Sequence, residues 1–198
     1  MKTTTAPLHA PPATRAPDLN APPKRLKLEQ TVTVHGHGQL HIRPIQPDDE
    51  ERMIHFHERV SEESVHMRYF EYLGLDRRTA HERLVRICTN TPESYALVVE
   101  KPATMQSPAA ILAVGRLTKT VQPYVVTFDT LLTDEADIPK LGKVLLHRLV
   151  SLAHALGFQR LTGELLVDDH DALNLCRSLG FALQTVPQDG IVLVALEL

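Results

Sequence analysis

The chain of 198 residues has no tryptophan, 5% aromatic residues and only two cysteines, Cys88 and Cys176. The cysteines are far apart and form no CxxC pair, which argues against a disulfide framework and against a zinc knuckle. No apolar run is long enough for a signal-peptide core or for a membrane span. We therefore expect a cytoplasmic protein that uses no metal and no membrane.

Neither positive nor negative charge predominates in the chain. The formal net charge is −3, and the longest basic cluster is the short KRLK stretch at residues 24–27. A weak overall field does not favour a polyanionic partner, so nucleic-acid binding is not expected. With 43% apolar residues, the chain is suited to one compact domain that folds without disulfide bonds or metal.

The first 30 residues differ in composition from the rest. They are rich in Pro, Ala and Thr and poor in large apolar side chains, so they cannot offset the entropy cost of ordering. We predict a disordered tail at residues 1–30, acting as a spacer or a partner-binding arm, and one folded domain at residues 31–198.

The domain alternates between strand and helix patterns. A hairpin around the HGHG turn precedes three short helical segments, and three strand segments then suggest an antiparallel meander. The next segment, at residues 141–158, has leucines at helical spacing and ends at Gly157, which predicts a long helix. A strand, a short helix ended by Gly180 and a terminal strand complete the pattern.

Several stretches of the domain carry a family resemblance. In chain order they are IRPIQPDDE, FHERVSEESVHMRYF, AHERLVRIC, AVGRLTK, LGKVLLHRLVSLAHALG, GELLVDD and LNLCRSLGF. They resemble the GCN5-related N-acetyltransferase (GNAT) family, and in particular the GNAT domain of bacterial protein lysine acetyltransferases. The resemblance implies an α/β (α+β) fold with a mixed, mostly antiparallel central sheet flanked by helices. It also implies acyl transfer from acetyl-CoA, as co-substrate, to a protein lysine or a small-molecule amine.

In the resembled family, the pyrophosphate of CoA lies on backbone amides of an [RQ]-x-x-G-x-[GA] loop at the start of the long helix. That arrangement uses the unpaired N–H groups and the positive dipole end of the helix. Here the loop runs from Asp137 to Gly142, with Asp137 in place of Arg or Gln and Lys140 in place of the first glycine. Lys140 either obstructs the phosphates or offers them an ammonium group. The cofactor-binding positions that the resemblance implies are Leu131, Leu132, Thr133, Asp137, Lys140, Leu141, Gly142, Lys143 and Asp169.

Amine acylation needs a base, because a lysine with a pKa of about 10.4 is almost entirely protonated at neutral pH. The resembled family uses a Glu on the strand before the long helix, and Thr127 stands at that position. Asp129 is two residues further along and therefore on the same face of the strand. Asp129 is the first candidate for the base, and Glu164 on the following strand is the second.

The resemblance implies two further roles. A backbone N–H near Leu131 is expected to stabilise the oxyanion. Cys176 stands where many members of the family have a Tyr that protonates the departing thiolate, and a core position is the alternative for this residue. Asp169 replaces an Asn that often precedes the short last helix, and an ordinary N-cap is the alternative there.

Three hypotheses remain open. The first is an active acyltransferase. The second is a non-catalytic acyl-CoA sensor or protein-interaction module that keeps the fold after losing the Glu at Thr127 and the loop glycines. The third is a domain that Asp137 and Lys140 have closed to CoA.

Overall fold

The computed structural model describes residues 17–19, 26–136, 138–186 and 189–198. Within these residues it contains eight strands and six α-helices around a single sheet. The strands are β1 (Gln30–Val34), β2 (Gly38–Pro44), β3 (Ser94–Lys101), β4 (Ala110–Lys119), β5 (Val125–Leu132), β6 (Arg160–Leu166), β7 (Ala182–Val186) and β8 (Ile191–Glu197). The helices are α1 (Glu50–Glu58), α2 (Glu62–Tyr69), α3 (Leu75–Arg78), α4 (His81–Ile87), α5 (Lys143–Ala155) and α6 (His170–Ser178).

The sheet order is β1-β2-β3-β4-β5-β6-β8-β7. Every neighbouring pair is antiparallel except β5 and β6, which are parallel and are connected through α5. The predicted hairpin and meander are confirmed by β1–β2 and by β3–β4–β5. The fold class is therefore the predicted mixed, mostly antiparallel sheet flanked by helices.

The sheet has a hydrophobic core on each face. One core contains the buried leucines of α5 together with residues of β2, β4 and β6. The other contains Met53 and Phe56 of α1, Val65 of α2 and Leu84 of α4, packed against β3 and the end of β5. Odd-numbered and even-numbered side chains of β5 consequently face different helical layers, because side chains alternate along a strand.

The long helix is the predicted one. Leu145, Leu149 and Leu152 are almost fully buried, and Gly157 ends the helix with a positive φ of 89°. A Cβ at Gly115 of β4 would come within 2.8 Å of the Leu149 side chain and 3.0 Å of that of Leu145, so glycine lets these two leucines of α5 pack directly on the strand.

A buried ionic network fixes the start of α1 to the sheet. The guanidinium of Arg43 donates to both carboxylate oxygens of Asp49, over 2.7 and 2.8 Å, and also to Glu100. The amide of Gln46 donates to Asp49 over 2.8 Å, and Arg52 contacts the same carboxylate. Asp49 has no exposed surface, and its contacts with Arg43 and Arg52 join the β2–α1 connection to β2 and to α1.

Two elements differ from the sequence patterns. The third helical segment is divided into α3 and α4, because buried Arg78 donates to the carbonyls of His57 and Val60 and the chain turns directly after it. Strand β7 was not predicted. It is short and mostly exposed at the edge of the sheet, so its sequence has no clear apolar alternation.

Part of the predicted tail lies against the domain. Leu19 is 1% exposed within the core on the α5 face, and Leu26 and Leu28 pack against that core. Residues 1–16 and 20–25 of the predicted tail lie outside the described residues. Among the helices that the structure describes, none is long and apolar enough to cross a membrane.

Candidate functional site

Strands β5 and β6 separate soon after they meet. Their register contains only three residue pairs, the last of which is Thr127 with Thr162. Phe128 follows this pair, and its ring lies so close to Gly163 that a Cβ there would be 2.7 Å from it. Beyond this point a cleft of about 540 Å³ opens between the two strands. We call it the cleft.

Many of the predicted site residues line the cleft. Its walls come from the ends of β5 and β6, from α2, from the start of α5 and from α6. The predicted residues that the structure brings together there are Asp129, Leu131, Leu132, Thr133, Gly142, Glu164 and Asp169.

Backbone amides of β5 also face the cleft. The amide of Thr133 donates to the carbonyl of Leu112 on β4 over 3.0 Å. Because peptide groups alternate along a strand, the amide of Leu131 also points toward β4 and those of Thr130 and Leu132 point toward β6. The amides of β5 that face the opening between the strands are therefore those of Thr130 and Leu132, whereas the amide of Leu131 faces β4.

Asp129 lies at the inner wall of the cleft with two arginines nearby. Its carboxylate forms an ion pair with Arg68 of α2, and Arg116 is its register partner on β4. Burial raises the pKa of Asp129, and the positive charges of Arg68 and Arg116 offset this only in part. The side chain is 26% exposed, so a group in the cleft can reach it.

Thr127 has a structural contact at the position where the resembled family has its base. Its hydroxyl donates to the carbonyl of Thr162 over 3.1 Å, and the hydroxyl of Thr162 donates to the carbonyl of Val126 over 3.4 Å. These bonds fasten β5 to β6 at the last point where the strands pair. Thr127 holds the junction together and has no group that could accept a proton efficiently.

Glu164 connects two cavities. It lines the cleft, and it also lines an outer groove of about 450 Å³ on the exposed face of β6, β8 and β7. Its register partner on β8 is Leu193, and Thr127 lies in the same groove. A group entering along the outer groove therefore meets the cleft at Glu164.

The start of α5 retains features of an anion site. A π-helical turn at Ile138–Gly142 leads into the helix, and no side chain caps the helix at Gly142. The positive end of the helix dipole lies at this turn, and it favours an anion beside it. Lys140 and Lys143 are exposed beside this end, whereas Leu141 is fully buried in the core. Asp137 lies outside the described residues.

The two predicted residues near α6 are placed differently. Asp169 lines the cleft and caps α6, accepting a hydrogen bond of 3.0 Å from the amide of Ala172. Burial raises its pKa. Cys176 is 1% exposed in the core, and burial raises the pKa of its thiol to about 12. The structure does not bring Cys176 into the cleft.

The cleft is acidic. Five carboxylates line it, and Arg68 is the one cationic side chain among its described lining residues. The five are Glu63, Asp129, Asp134, Glu164 and Asp169. Asp134 accepts bonds from Ser61 and Ser64 and so ties the α1–α2 turn to the end of β5. Such a lining attracts a cationic amine.

The sequence patterns did not single out Arg68 or Arg116. The signal for Arg116 was available, because it is a charged residue inside the otherwise apolar strand AILAVGRLTK and needs buried partners. Arg68 gave no such signal, since a helical arginine is usually solvated. Among the described residues, no group of three or more His, Cys, Asp or Glu side chains is arranged to hold a metal ion.

The separated parallel pair, the meander before it and the helix between its strands together define the GNAT fold. No protein-family model matches the chain. Among solved structures, the GNAT domain of S. lividans PAT matches with a TM-score of 0.72 and 22% identity, over 86% of this chain and 97% of that one. The predicted resemblance is therefore confirmed at the level of the fold.

Two other solved structures are also similar. A protein from Salmonella typhimurium solved with its cofactor acetyl-CoA has a TM-score of 0.55 and 17% identity, over 80% of this chain and 93% of that one. A cAMP-binding acyltransferase from Mycobacterium smegmatis has a TM-score of 0.55 and 17% identity, over 85% of this chain but only 46% of that one.

Proposed function

We propose that the protein is an acyl-CoA-dependent N-acyltransferase that transfers an acetyl group to an amine. The observation that carries the proposal is the cleft between β5 and β6, because it joins strand amides that β6 does not pair, the two candidate bases and the start of the long helix in one cavity. The fold neighbours support it, since one of them was solved with acetyl-CoA.

The residues fit such a thioester. The cleft extends from the start of the long helix at Gly142 to the amides of Thr130 and Leu132, which have no strand partner on β6 among the described residues. The positive dipole end of the helix suits a pyrophosphate, and the two strand amides can hold the negative charge that develops on a thioester carbonyl. Acetyl-CoA supplies the activated acyl group. We assign Lys140 and Lys143 to the outer phosphates because they are exposed at the same helix end.

Asp129 is assigned as the base. The ammonium group of the acceptor first releases one proton to solvent. The neutral amine then attacks the carbonyl carbon and forms the C–N bond, a second proton passes from its nitrogen to Asp129, and the C–S bond breaks so that the thiolate leaves. A raised pKa brings the carboxyl closer to neutral pH and so makes it a better proton acceptor. Glu164 is the second candidate. Cys176 is not given the role of acid, because its thiol is buried and its pKa is about 12.

The acceptor is assigned as a cationic amine. The acidic lining of the cleft raises the local concentration of ammonium groups, and the outer groove gives them a route that ends at Glu164. A protein lysine fits this route and agrees with the similarity to the S. lividans domain. A small-molecule amine can use the same route.

A second function has a specific observation in its favour. Thr127 cannot act as a base, and Arg68 neutralises Asp129. Both features suit an acyl-CoA sensor that binds the thioester without turning it over. For both functions we propose that the domain at residues 31–198 carries the activity. We also propose that the protein is located in the cytoplasm.

Calorimetric titration of acetyl-CoA into the full chain is the first test, followed by thiol release in the presence of a panel of amines and a lysine-rich protein. Binding with acceptor-dependent thiol release supports the transferase. Binding without release identifies the sensor. No binding at millimolar ligand overturns both.

A further inference from the structure

A second, smaller cavity lies behind Asp129. Its volume is about 40 Å³, and we call it the inner cavity. It shares Arg68, Asp129 and Leu131 with the cleft, so the two cavities adjoin at these residues. The remaining lining residues are Ile45, Met53, Phe56, His57, Tyr69, Ile87, Val114 and Arg116. At on the order of 10–15 Å³ for each water-sized group, the inner cavity holds roughly three non-hydrogen atoms.

Polar groups in the inner cavity lack partners. His57 is 1% exposed, and no group among the described residues hydrogen-bonds to either of its ring nitrogens. Nε of Arg68 is also buried, and it has no hydrogen-bond partner in the described part of the chain. Buried donors without partners are costly, and each such group calls for a ligand or a water molecule.

The charge of the inner cavity is also unbalanced. Arg68 and Arg116 line it, and Asp129 is the one carboxylate among its described lining residues. Arg116 donates to the hydroxyl of Ser94 over 2.7 Å and to the carbonyl of Ile87. Both acceptors are neutral, so these hydrogen bonds do not compensate the positive charge of the guanidinium. Two guanidinium groups facing one carboxylate leave an excess of one positive charge.

We propose that the inner cavity binds a carboxylate group. A carboxylate has three non-hydrogen atoms, supplies acceptors for the unpaired donors and cancels the excess charge. It reaches the inner cavity from the cleft, carried either by the acyl group of the thioester or by the amine acceptor. The proposal deepens the proposed function, because it names a chemical feature of one of the two substrates.

The carboxylate would also change the state of Asp129. Arg68 contacts Asp129 and lines both cavities, so it can transfer its ion pair from Asp129 to the incoming group. Asp129 is then released to accept the proton of the amine. The ion pair between Arg68 and Asp129 was the feature in favour of a sensor, and a substrate with a carboxylate would break that ion pair.

The acyl source is tested by titrating CoA, acetyl-CoA, butyryl-CoA and succinyl-CoA into the full chain. Butyryl and succinyl groups have the same number of carbons and differ by the carboxylate. If the acyl group carries the carboxylate, succinyl-CoA binds on the order of tenfold or more tightly than butyryl-CoA. Arg68→Met removes this preference, whereas Arg86→Met, at an exposed arginine of α4 outside both cavities, keeps it.

The acceptor source is tested with lysine and 1,5-diaminopentane, which lacks the carboxylate of lysine. If the acceptor carries the carboxylate, lysine binds on the order of tenfold more tightly, and Arg68→Met abolishes the difference. Equal binding within both pairs in the wild-type chain overturns the proposal, whether or not the variants fold. If CoA does not bind, the proposed function fails, and the lysine pair still decides whether the inner cavity takes a carboxylate.

Discussion

Two aspartates of this protein pair with arginines, and their pKa values shift in opposite directions. Asp49 has no exposed surface and accepts hydrogen bonds from Arg43, Arg52 and the amide of Gln46. Burial acts to raise its pKa, but these bonds outweigh burial and leave the pKa below its usual value. Asp129 has Arg68 as its bonded partner and keeps a raised pKa.

The difference separates a structural carboxylate, Asp49, from the proposed base, Asp129. Asp49 stabilises the fold when ionised, so its contribution is present at neutral pH and is lost as pH falls through its lowered pKa. Asp129 has the opposite sign, because the folded state favours its protonated form and ionisation at higher pH costs stability. A charged group that the fold leaves incompletely satisfied is a candidate for chemistry.

The largest expected effect is at Asp49. Asp49→Asn leaves Arg43 and Arg52 facing a neutral amide in a buried site, so we expect a loss of about 3–5 kcal/mol in the free energy of unfolding. Chemical denaturation at neutral pH measures it. Asp129→Asn is the matched variant and should lose far less stability, and equal losses would contradict the distinction between the two aspartates.

His57 extends the comparison to pH. Burial, together with the charges of Arg83 and Arg78, lowers its pKa from 6.5 to about 4. Between pH 6.5 and pH 4 the histidine is therefore protonated in the unfolded chain and neutral in the folded chain. The free energy of unfolding falls as the pH drops through this range, by about 3 kcal/mol over the whole range.

Denaturation curves across this range, for wild type and His57→Phe, measure the effect. The variant should have a flatter pH dependence, whereas His35→Phe, at an exposed histidine of the β1–β2 turn, should keep that of the wild type. A His57→Phe variant with the same slope as the wild type would show that His57 is not buried in neutral form.

The proposed role of Asp129 as the base predicts an effect on the rate of acyl transfer. Asp129→Asn should lower acceptor-dependent thiol release on the order of a hundredfold, because the amide cannot take the proton of the amine. Glu164→Gln is the control, since Glu164 is the other candidate base in the cleft. If Glu164→Gln loses the rate and Asp129→Asn does not, the roles are reversed.

The smallest effect is expected at Thr127. Thr127→Val removes the bond to the carbonyl of Thr162, at a cost of about 1 kcal/mol in unfolding free energy. Thiol release should stay near the wild-type rate, because this hydroxyl only fastens β5 to β6. A loss of rate comparable to that of Asp129→Asn would give Thr127 a part in the chemistry.

Most of the fold was readable from local patterns. The leucine spacing of α5, the glycines of the first hairpin and the strand runs of the meander each depend on residues that are neighbours in sequence. The failures have non-local causes. Arg78 divides α3 from α4 by reaching back to the end of α1, and β7 is held by pairing with β8 rather than by its own pattern.

The candidate site was readable only in part. Placing Asp129 and Glu164 on adjacent strands follows from the order of elements and the period of a strand. The amide that faces the cleft depends on which residues of β5 bond to β4, and a shift of one residue changes the answer from Leu131 to Leu132. The partner of Asp129 comes from α2, which is 61 residues away in sequence, and no local pattern specifies it.

The sequence by itself determined most of the elements, their order and the two candidate bases, Asp129 and Glu164, because these follow from periodicity and chain neighbours. Only the tertiary structure decided which aspartate is satisfied and which is not. The state of a buried charge depends on desolvation and on partners brought from distant segments, and those terms exist only once the chain has packed. The inner cavity, with its excess of positive charge, has the same origin.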